Sequence, residues 1–343
     1  MSFLGLDKLA GYVVQGARLT DETLKNNDAL FYTKFLTPDF SASDNFMAVS
    51  GGNKYVAADI VSYDSSTPLK KRDSISAYSG KIPKRAIKRA LNESEIMQYK
   101  DLRSRGVNEQ KLAGFIFKDT PFVVNGIERS VEYDFLSLLC GEAVLIHDET
   151  NTKAGEGIRI RSKGEVVKGS YIKSAWDKAV AAADEKDGAS VAVMSKGTFN
   201  KWKASKFALD LHSQFIGVKT DVEPTRQQFL DEIKSEYGIE IVIIDSKIRV
   251  ESNGKRTTVQ PFVDDVVTFL PSMNIGRAVY TETAEHSQEF RNDNCVAYAE
   301  PNQYTLVAVE HKTEPLRLET RAQAIILPVF DEIDNMIFLE LNK

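Results

Sequence analysis

The sequence predicts an α+β fold, and three features carry that prediction. A long capped helix ends at Gly141, a central region alternates helix and strand from Gly238 to Pro271, and a one-sided strand returns at Leu316. With 343 residues, 42% hydrophobic and 27% charged, the chain is long enough for a large core or two domains. A net charge of −5 argues against a dedicated nucleic-acid binder but leaves room for a local basic patch. The N-terminus MSFLGLDKLAGYVVQG lacks a basic n-region and a sustained apolar run, and no stretch approaches the ~20 apolar residues of a membrane span. The expectation is a soluble protein made in the cytoplasm, without a membrane partner.

Residues 1–50 show no long period. Short apolar patches (Leu6, Leu9, Val13, Val14; Leu30, Phe31, Phe35, Leu36) run up to Ser50-Gly51-Gly52-Asn53, and the segment reads as an extended arm needing another surface. Residues 55–63 read as a strand, 64–68 as a turn, and Leu69 to Ser79 as a second extended stretch, making a long hairpin polar on both faces. From Leu69 to Arg89 the bases Lys70, Lys71, Arg72, Lys81, Lys84, Arg85, Lys88 and Arg89 stand against Asp73. One reading is a solvated charged face. The other is an arm laid on an acidic neighbour, with Lys70, Lys71, Arg72, Lys81, Lys84 and Arg85 as candidate inter-subunit contacts.

Asn92 reads as an N-cap with Glu95 at N3, opening a helix through Ile96, Tyr99 and Leu102 that Gly106 ends. The spine helix follows, spanning residues 121–140. Asp119-Thr120-Pro121 supplies its cap and first turn, and Val123, Ile127, Val131, Phe135 and Leu138 form an apolar stripe closed by Gly141 at C′. Glu128, Arg129, Glu132 and Asp134 are expected on the other side. About 20 residues make a helix of roughly 30 Å. Burying five large side chains at ~1.5–3 kcal/mol each stabilises the fold by roughly 8–15 kcal/mol. Asn125-Gly126 is the weak point and offers an alternative start.

Further on, Ser174 caps a helix through Trp176, Ala179, Val180 and Ala183, stopped near Gly188. A strand Ser190–Met194 and a short helix around Phe199–Trp202 follow. Pro224 opens a helix with Phe229, Ile233 and Tyr237 on one face, ended by Gly238, and residues 239–244 form a buried strand. Ile248–Ser252 and Lys255–Val259 make a hairpin on Asn253-Gly254, and Val266–Leu270 is a strand ended by Pro271. In the C-terminal strand Leu316, Leu318, Thr320, Ala322 and Ala324 alternate with Arg317, Glu319, Arg321 and Gln323, giving one apolar face, and the run Ile325-Ile326-Leu327-Pro328 then turns into Asp331-Glu332. An apolar stretch from Ile333 to Leu341 closes the chain within structure.

Catalytic signatures are missing from the sequence. His147, His212, His286 and His311 lack metal-ligand spacing, and neither GxSxG nor GxxxxGK[ST] occurs. Gly155-Glu156-Gly157 is not continued to GxGxxG. The acid pairs Glu128/Glu132 and Asp264/Asp265 read as solvated. Cys140 and Cys295 read as small buried thiols in a reducing compartment. No catalytic, cofactor-binding or metal-binding residue is assigned, and no enzymatic function is expected.

The order of parts resembles the Hong Kong 97-type capsid fold, and the sequence is similar to the lambda-type major capsid proteins (the phage major capsid protein E family). Three stretches carry this likeness. They are Val131-Glu132 through Leu138-Leu139 to Gly141-Glu142-Ala143-Val144, then Tyr237 to Ile244 with the 253–254 hairpin, Pro261-Phe262, Val267 to Pro271 and Gly276, and finally Ala322 to Pro328 with Asp331-Glu332. A weaker match runs through Ala58 to Ser62, Pro68, Lys70, Arg72, Pro83-Lys84 and Leu91-Asn92-Glu93. The likeness spans residue 55 to the C-terminus, and residues 1–50 match no pattern.

The resemblance implies an N-terminal arm (1–53), an extended loop (54–90), a peripheral domain with the spine helix (91–187), an axial domain (188–285) and a return to the peripheral domain with the long strand (286–343). It implies a shell subunit that forms hexamers and pentamers with a scaffolding protein, a portal and a decoration protein. The shell encloses double-stranded DNA non-specifically, and its location is the virion capsid after synthesis in the bacterial host cytoplasm. The rival readings are a non-viral compartment shell of the same fold and a two-domain α/β enzyme.

Overall fold

The computed structural model describes residues 15–16, 20, 30–50, 76–105, 118–145, 159–161, 164–252, 255–287 and 296–342. The expected strand 55–63 and turn 64–68, the bases Lys70, Lys71 and Arg72, the Asn253-Gly254 turn, Gly106, His147 and Cys295 lie outside the described residues.

A six-stranded sheet orders Leu36–Phe40, Gly276–Thr281, Leu316–Phe330, Leu306–Thr313 and Val296–Ala299, with Lys84–Asn92 also bonded to the long strand Leu316–Phe330. That long strand is its hub. It runs antiparallel to Lys84–Asn92 from Arg317↔Asn92 to Ile325↔Lys84, and to Gly276–Thr281 from Ile325↔Thr281 to Phe330↔Gly276. Leu318, Ala322, Ala324 and Ile326 point into the core shared with the spine helix.

The strand runs through Pro328 to Phe330, and the expected turn follows at Asp331-Glu332. Past Ile325 its described pairing is with Gly276–Thr281 alone, and the open side tolerates a proline without an N–H. The opposite face is not solvated. Glu319 and Gln323 are 3% and 4% exposed, because Lys88, Lys312 and Arg317 close over the Glu319 carboxylate.

The second sheet has five strands in the order Glu165–Gly169, Ile337–Leu341, Val266–Leu270, Val191–Ser195 and Glu240–Ile244. Helices Lys173–Asp184, Lys196–Lys203, Lys206–Ile216 and Arg226–Tyr237 cover it around Trp176, Trp202, Phe207, Phe229 and Phe269. The two indole rings meet edge to face at 5.3 Å. Glu165–Gly169 and Lys173–Asp184 sit with the five-stranded sheet, Gly276–Thr281 with the six-stranded one, and Ile337–Leu341 is an inner strand of the five-stranded sheet. Backbone pairing decides this, since Ile337–Leu341 bonds to Val266–Leu270 on one side and Glu165–Gly169 on the other.

Several expected cap and turn signals lie at element ends. Gly238 adopts φ +69 after Tyr237, and the Asn92 N–H donates to the Glu95 carboxylate at 2.8 Å, half of a capping box. The hairpin strands pair from Ile248↔Val259 to Ser252↔Lys255. Three caps move. Ile172 rather than Ser174 precedes the helix Lys173–Asp184, Thr225 rather than Pro224 opens the helix Arg226–Tyr237 through a capping box with Gln228, and Lys118 stands where Asp119 was expected. Helix Lys206–Ile216 has no counterpart in the sequence reading, although Ser205 caps it and Gly217 ends it at φ +72.

The arm is also corrected. Leu30, Tyr32, Phe35 and Leu36 are buried in the chain's own core, and Leu36–Phe40 runs parallel to Gly276–Thr281. Asn45–Ser50 pairs with Ser76–Lys81, so the second half of the expected arm is one side of the hairpin root.

Candidate functional site

The basic strand Lys84–Asn92 belongs to the six-stranded sheet and lies beneath the spine helix, while Phe46 of the hairpin root packs on the sheet's other face. The spine helix runs from Asp119 to Leu138 without interruption at Asn125-Gly126. The strand beneath passes close to Gly126, where an added Cβ would lie 2.7 Å from Ile87 Cδ1, the movable end of that side chain.

That strand, Lys84–Asn92, carries a tandem repeat, Lys84-Arg85-Ala86-Ile87 and Lys88-Arg89-Ala90-Leu91. On a pleat of period two the repeat sends Arg85, Ile87, Arg89 and Leu91 to one face and the lysines to the other. Both arginines reach the spine helix. Arg85 donates to Asp134, to Ser130 Oγ at 2.6 Å and to the Ile326 carbonyl at 3.1 Å. Arg89 meets Asp119 at 3.1 Å, with its guanidinium 4.9 Å over the Phe122 ring. Burial raises the carboxyl pKa of Asp134 and of Asp119 although each faces an arginine.

Arg85 is buried and its charge is paired within the chain. One expectation is corrected: Glu128 and Glu132 are buried, not solvated, and Asp134 is buried with them. Glu132 accepts the backbone N–H groups of Phe31 and Tyr32, each at 3.0 Å. Glu128 accepts the Tyr32 hydroxyl, Asn302 Nδ2 at 2.9 Å and the Tyr304 hydroxyl at 2.8 Å. Burial pushes Glu132 up to about 7 against the two N–H groups, and raises Tyr32. The other acid pair differs. Asp264 is exposed and accepts from Ser195, while Asp265, at φ +66, accepts from Tyr171 and Lys201.

The remaining candidates sit at the root. Lys81 is exposed and pairs with Asp44 at 3.3 Å; Lys84 is exposed. Arg277 fastens the root to the sheet, donating to both Asp331 oxygens at 2.8 and 2.9 Å, to Asp39 at 2.7 Å and to the Met47 carbonyl at 3.4 Å. Those carboxylates raise its pKa further. Phe46 packs on Ile82, Val279, Leu327 and Val329.

The arrangement is mechanical. It fixes a ribbon and an N-terminal segment to a rigid helix and sheet. Among the described residues no group of three or more His, Cys, Asp or Glu is placed to hold a metal ion, and no helix is long and apolar enough to cross a membrane.

A phage-related protein from Bordetella bronchiseptica RB50 is similar to this chain at a TM-score of 0.50 and 10% identity, covering 94% of this chain and 95% of that one. The chain has that fold. Two further solved structures are similar at lower scores. A protein assigned as a prophage capsid protein in E. coli CFT073 matches at TM-score 0.49 and 13% identity over 91% of this chain and 93% of that one. The capsid of a native GTA particle matches at 0.48 and 10% over 91% and 90%. No protein-family model and no curated protein matches the sequence. The lambda-type resemblance is therefore carried by the residue stretches quoted above alone.

Proposed function

We propose that this chain is the major capsid protein of a tailed double-stranded-DNA bacteriophage of the lambda type, with the Hong Kong 97-type fold. It assembles as hexamers and pentamers into the icosahedral head shell around the genome, with a scaffolding protein, a portal and a decoration protein as partners. Its place is the virion capsid after synthesis in the bacterial host cytoplasm, and its role is structural, not enzymatic. In this reading the spine helix and six-stranded sheet are the peripheral domain, and the five-stranded sheet with its helices is the axial domain.

The hairpin root carries the reading. Asn45–Ser50 and Ser76–Lys81 bond to each other as a separate two-stranded sheet, with Met47 66% exposed. A two-stranded ribbon is marginal in water unless its faces are covered. The Phe46 side lies on the chain's own sheet, and in this reading a neighbouring subunit covers the Met47 side. The fold shared with the Bordetella phage-related protein and the lambda-like stretches support the same reading.

Shells need many modest contacts, so that misplaced subunits can leave. Exposed ion pairs at ~0.2–1 kcal/mol each have that strength, and Lys70, Lys71, Arg72, Lys81 and Lys84 provide them. Packaged DNA is the competing partner for these charges. Negative-stain microscopy of the purified full chain tests the proposal. Hollow uniform particles or ring-shaped capsomers are expected, and a stable monomer at all concentrations overturns it.

A further inference from the structure

Two distant parts of the chain converge on one turn of the spine helix. The short helix Tyr32–Phe35 comes from the N-terminal side, Asn302 and Tyr304 come from the connection between Val296–Ala299 and Leu306–Thr313, and Glu128 and Glu132 stand four residues apart between them. Glu132 spends both oxygens on the backbone N–H groups of Phe31 and Tyr32. Glu128 takes the hydroxyls of Tyr32 and Tyr304, which also meet each other at 2.7 Å. The two carboxylates are 0% and 2% exposed. These bonds join the first strand of the sheet, Leu36–Phe40, and the chain entering it, to the spine helix.

We propose that Glu132, supported by Glu128, is a proton-controlled latch that holds the N-terminal segment around Phe31 and Tyr32 against the spine helix. The latch tightens as Glu132 is protonated and loosens as it ionises. It belongs to the subunit itself and stands apart from the shell reading, since it can be measured in chains that never assemble.

Facing Glu132 are Tyr32 from the short helix and Glu128 and Arg129 from its own helix, with Tyr304 reaching Glu128 from the far side. Burial is the largest influence and Glu128 adds to it, while the two N–H groups and Arg129 oppose it. With the held pKa near 7 and the ordinary value 4.5, the contribution is full below about 4.5 and is lost as pH rises through about 7.

Hydrogen–deuterium exchange of the full chain tests this. After correction for the chemical exchange rate, opening of residues 30–40 should rise on the order of a hundredfold between pH 5 and pH 8. Helix Arg226–Tyr237 should show no such rise. Glu132→Gln should make the opening of 30–40 independent of pH. An unchanged pH rise in that variant, or a flat profile in the natural protein, overturns the latch. Should Glu132→Gln fail to fold, Tyr32→Phe removes the hydroxyl from Glu128 and leaves Glu132 in place. Faster opening at every pH with the rise retained is then expected, and exchange equal to the natural protein's overturns the role of Glu128.

Discussion

Arg85 and Asp134 form an ion pair across the seam between the basic strand and the spine helix, with side chains 7% and 0% exposed. Ser130 and the Ile326 carbonyl take the rest of the guanidinium, so neither charge has access to water. Breaking such a pair leaves a buried charge alone, at a cost of roughly 3–5 kcal/mol. Arg85→Ala is therefore expected to lower the unfolding free energy read from urea titration by that amount. Arg85→Met with Asp134→Leu should recover most of the loss, because similar apolar volume removes both desolvation costs. A loss below about 0.5 kcal/mol in Arg85→Ala would show that the seam does not hold the strand.

The lysines at the root behave oppositely. Lys81 is 62% exposed at its side chain, and its pair with Asp44 is a surface contact that contributes little to folding. Joint substitution Lys70→Glu, Lys71→Glu and Arg72→Glu is expected to abolish particles while the thermal midpoint stays within about 2 °C. Assembly of empty shells separates the two partners of these charges. Loss of empty shells assigns them to a neighbouring subunit, whereas normal empty shells that fail only on filling assign them to DNA.

How much was legible follows from these residues. The stripe Val123, Ile127, Val131, Phe135 and Leu138 was readable because apolar periodicity reports burial, and all five are buried. Glu128, Glu132 and Asp134 were misread because a carboxylate in a helix is usually solvated. Their partners Tyr32, Tyr304 and Arg85 lie 96, 176 and 49 residues away. One signal was available. The repeat Lys84-Arg85-Ala86-Ile87 and Lys88-Arg89-Ala90-Leu91 places Arg85 and Arg89 on the apolar face of any strand, where each must find an acid. The sheet exchange of Ile337–Leu341 had no local signal, since an apolar strand fits either sheet equally well.

Cys140 offers a chemical check on packing. It lies just past the spine helix, and Val263 N–H donates to its sulfur at 3.4 Å. Burial pushes its pKa up to about 12. Since the thiolate is the nucleophile, native Cys140 should alkylate at pH 8 about a thousandfold more slowly than an ordinary thiol of pKa ~8.5. Mass spectrometry on a Cys295→Ser background measures this against the same chain in urea. Equal rates in the two conditions would mean that the turn at Cys140 and Gly141 opens freely.

Gly276 sits where three strands converge. It pairs with Leu36 on one side and Phe330 on the other, and the neighbouring Ile275 bonds to Phe35 O and receives Asp331 N–H, both at 3.0 Å. A Cβ here would overlap the Val329 carbonyl oxygen and lie 2.8 Å from Phe330 Cα, both backbone atoms that no rotamer change can move. Gly276→Ala should therefore cost about 3 kcal/mol, the upper end for overpacking, by separating the first strand from the long one. Gly217 is the control. It adopts φ +72 with nothing within 4 Å of a Cβ, so Gly217→Ala should cost only the left-handed backbone strain of roughly 1–2 kcal/mol. Exchange at residues 36–40 distinguishes the two, because strand separation exposes those amides and a strained helix end does not. Equal denaturation midpoints, with residues 36–40 equally protected in both variants, would mean that the parallel pairing of Leu36–Phe40 does not depend on the close approach at Gly276.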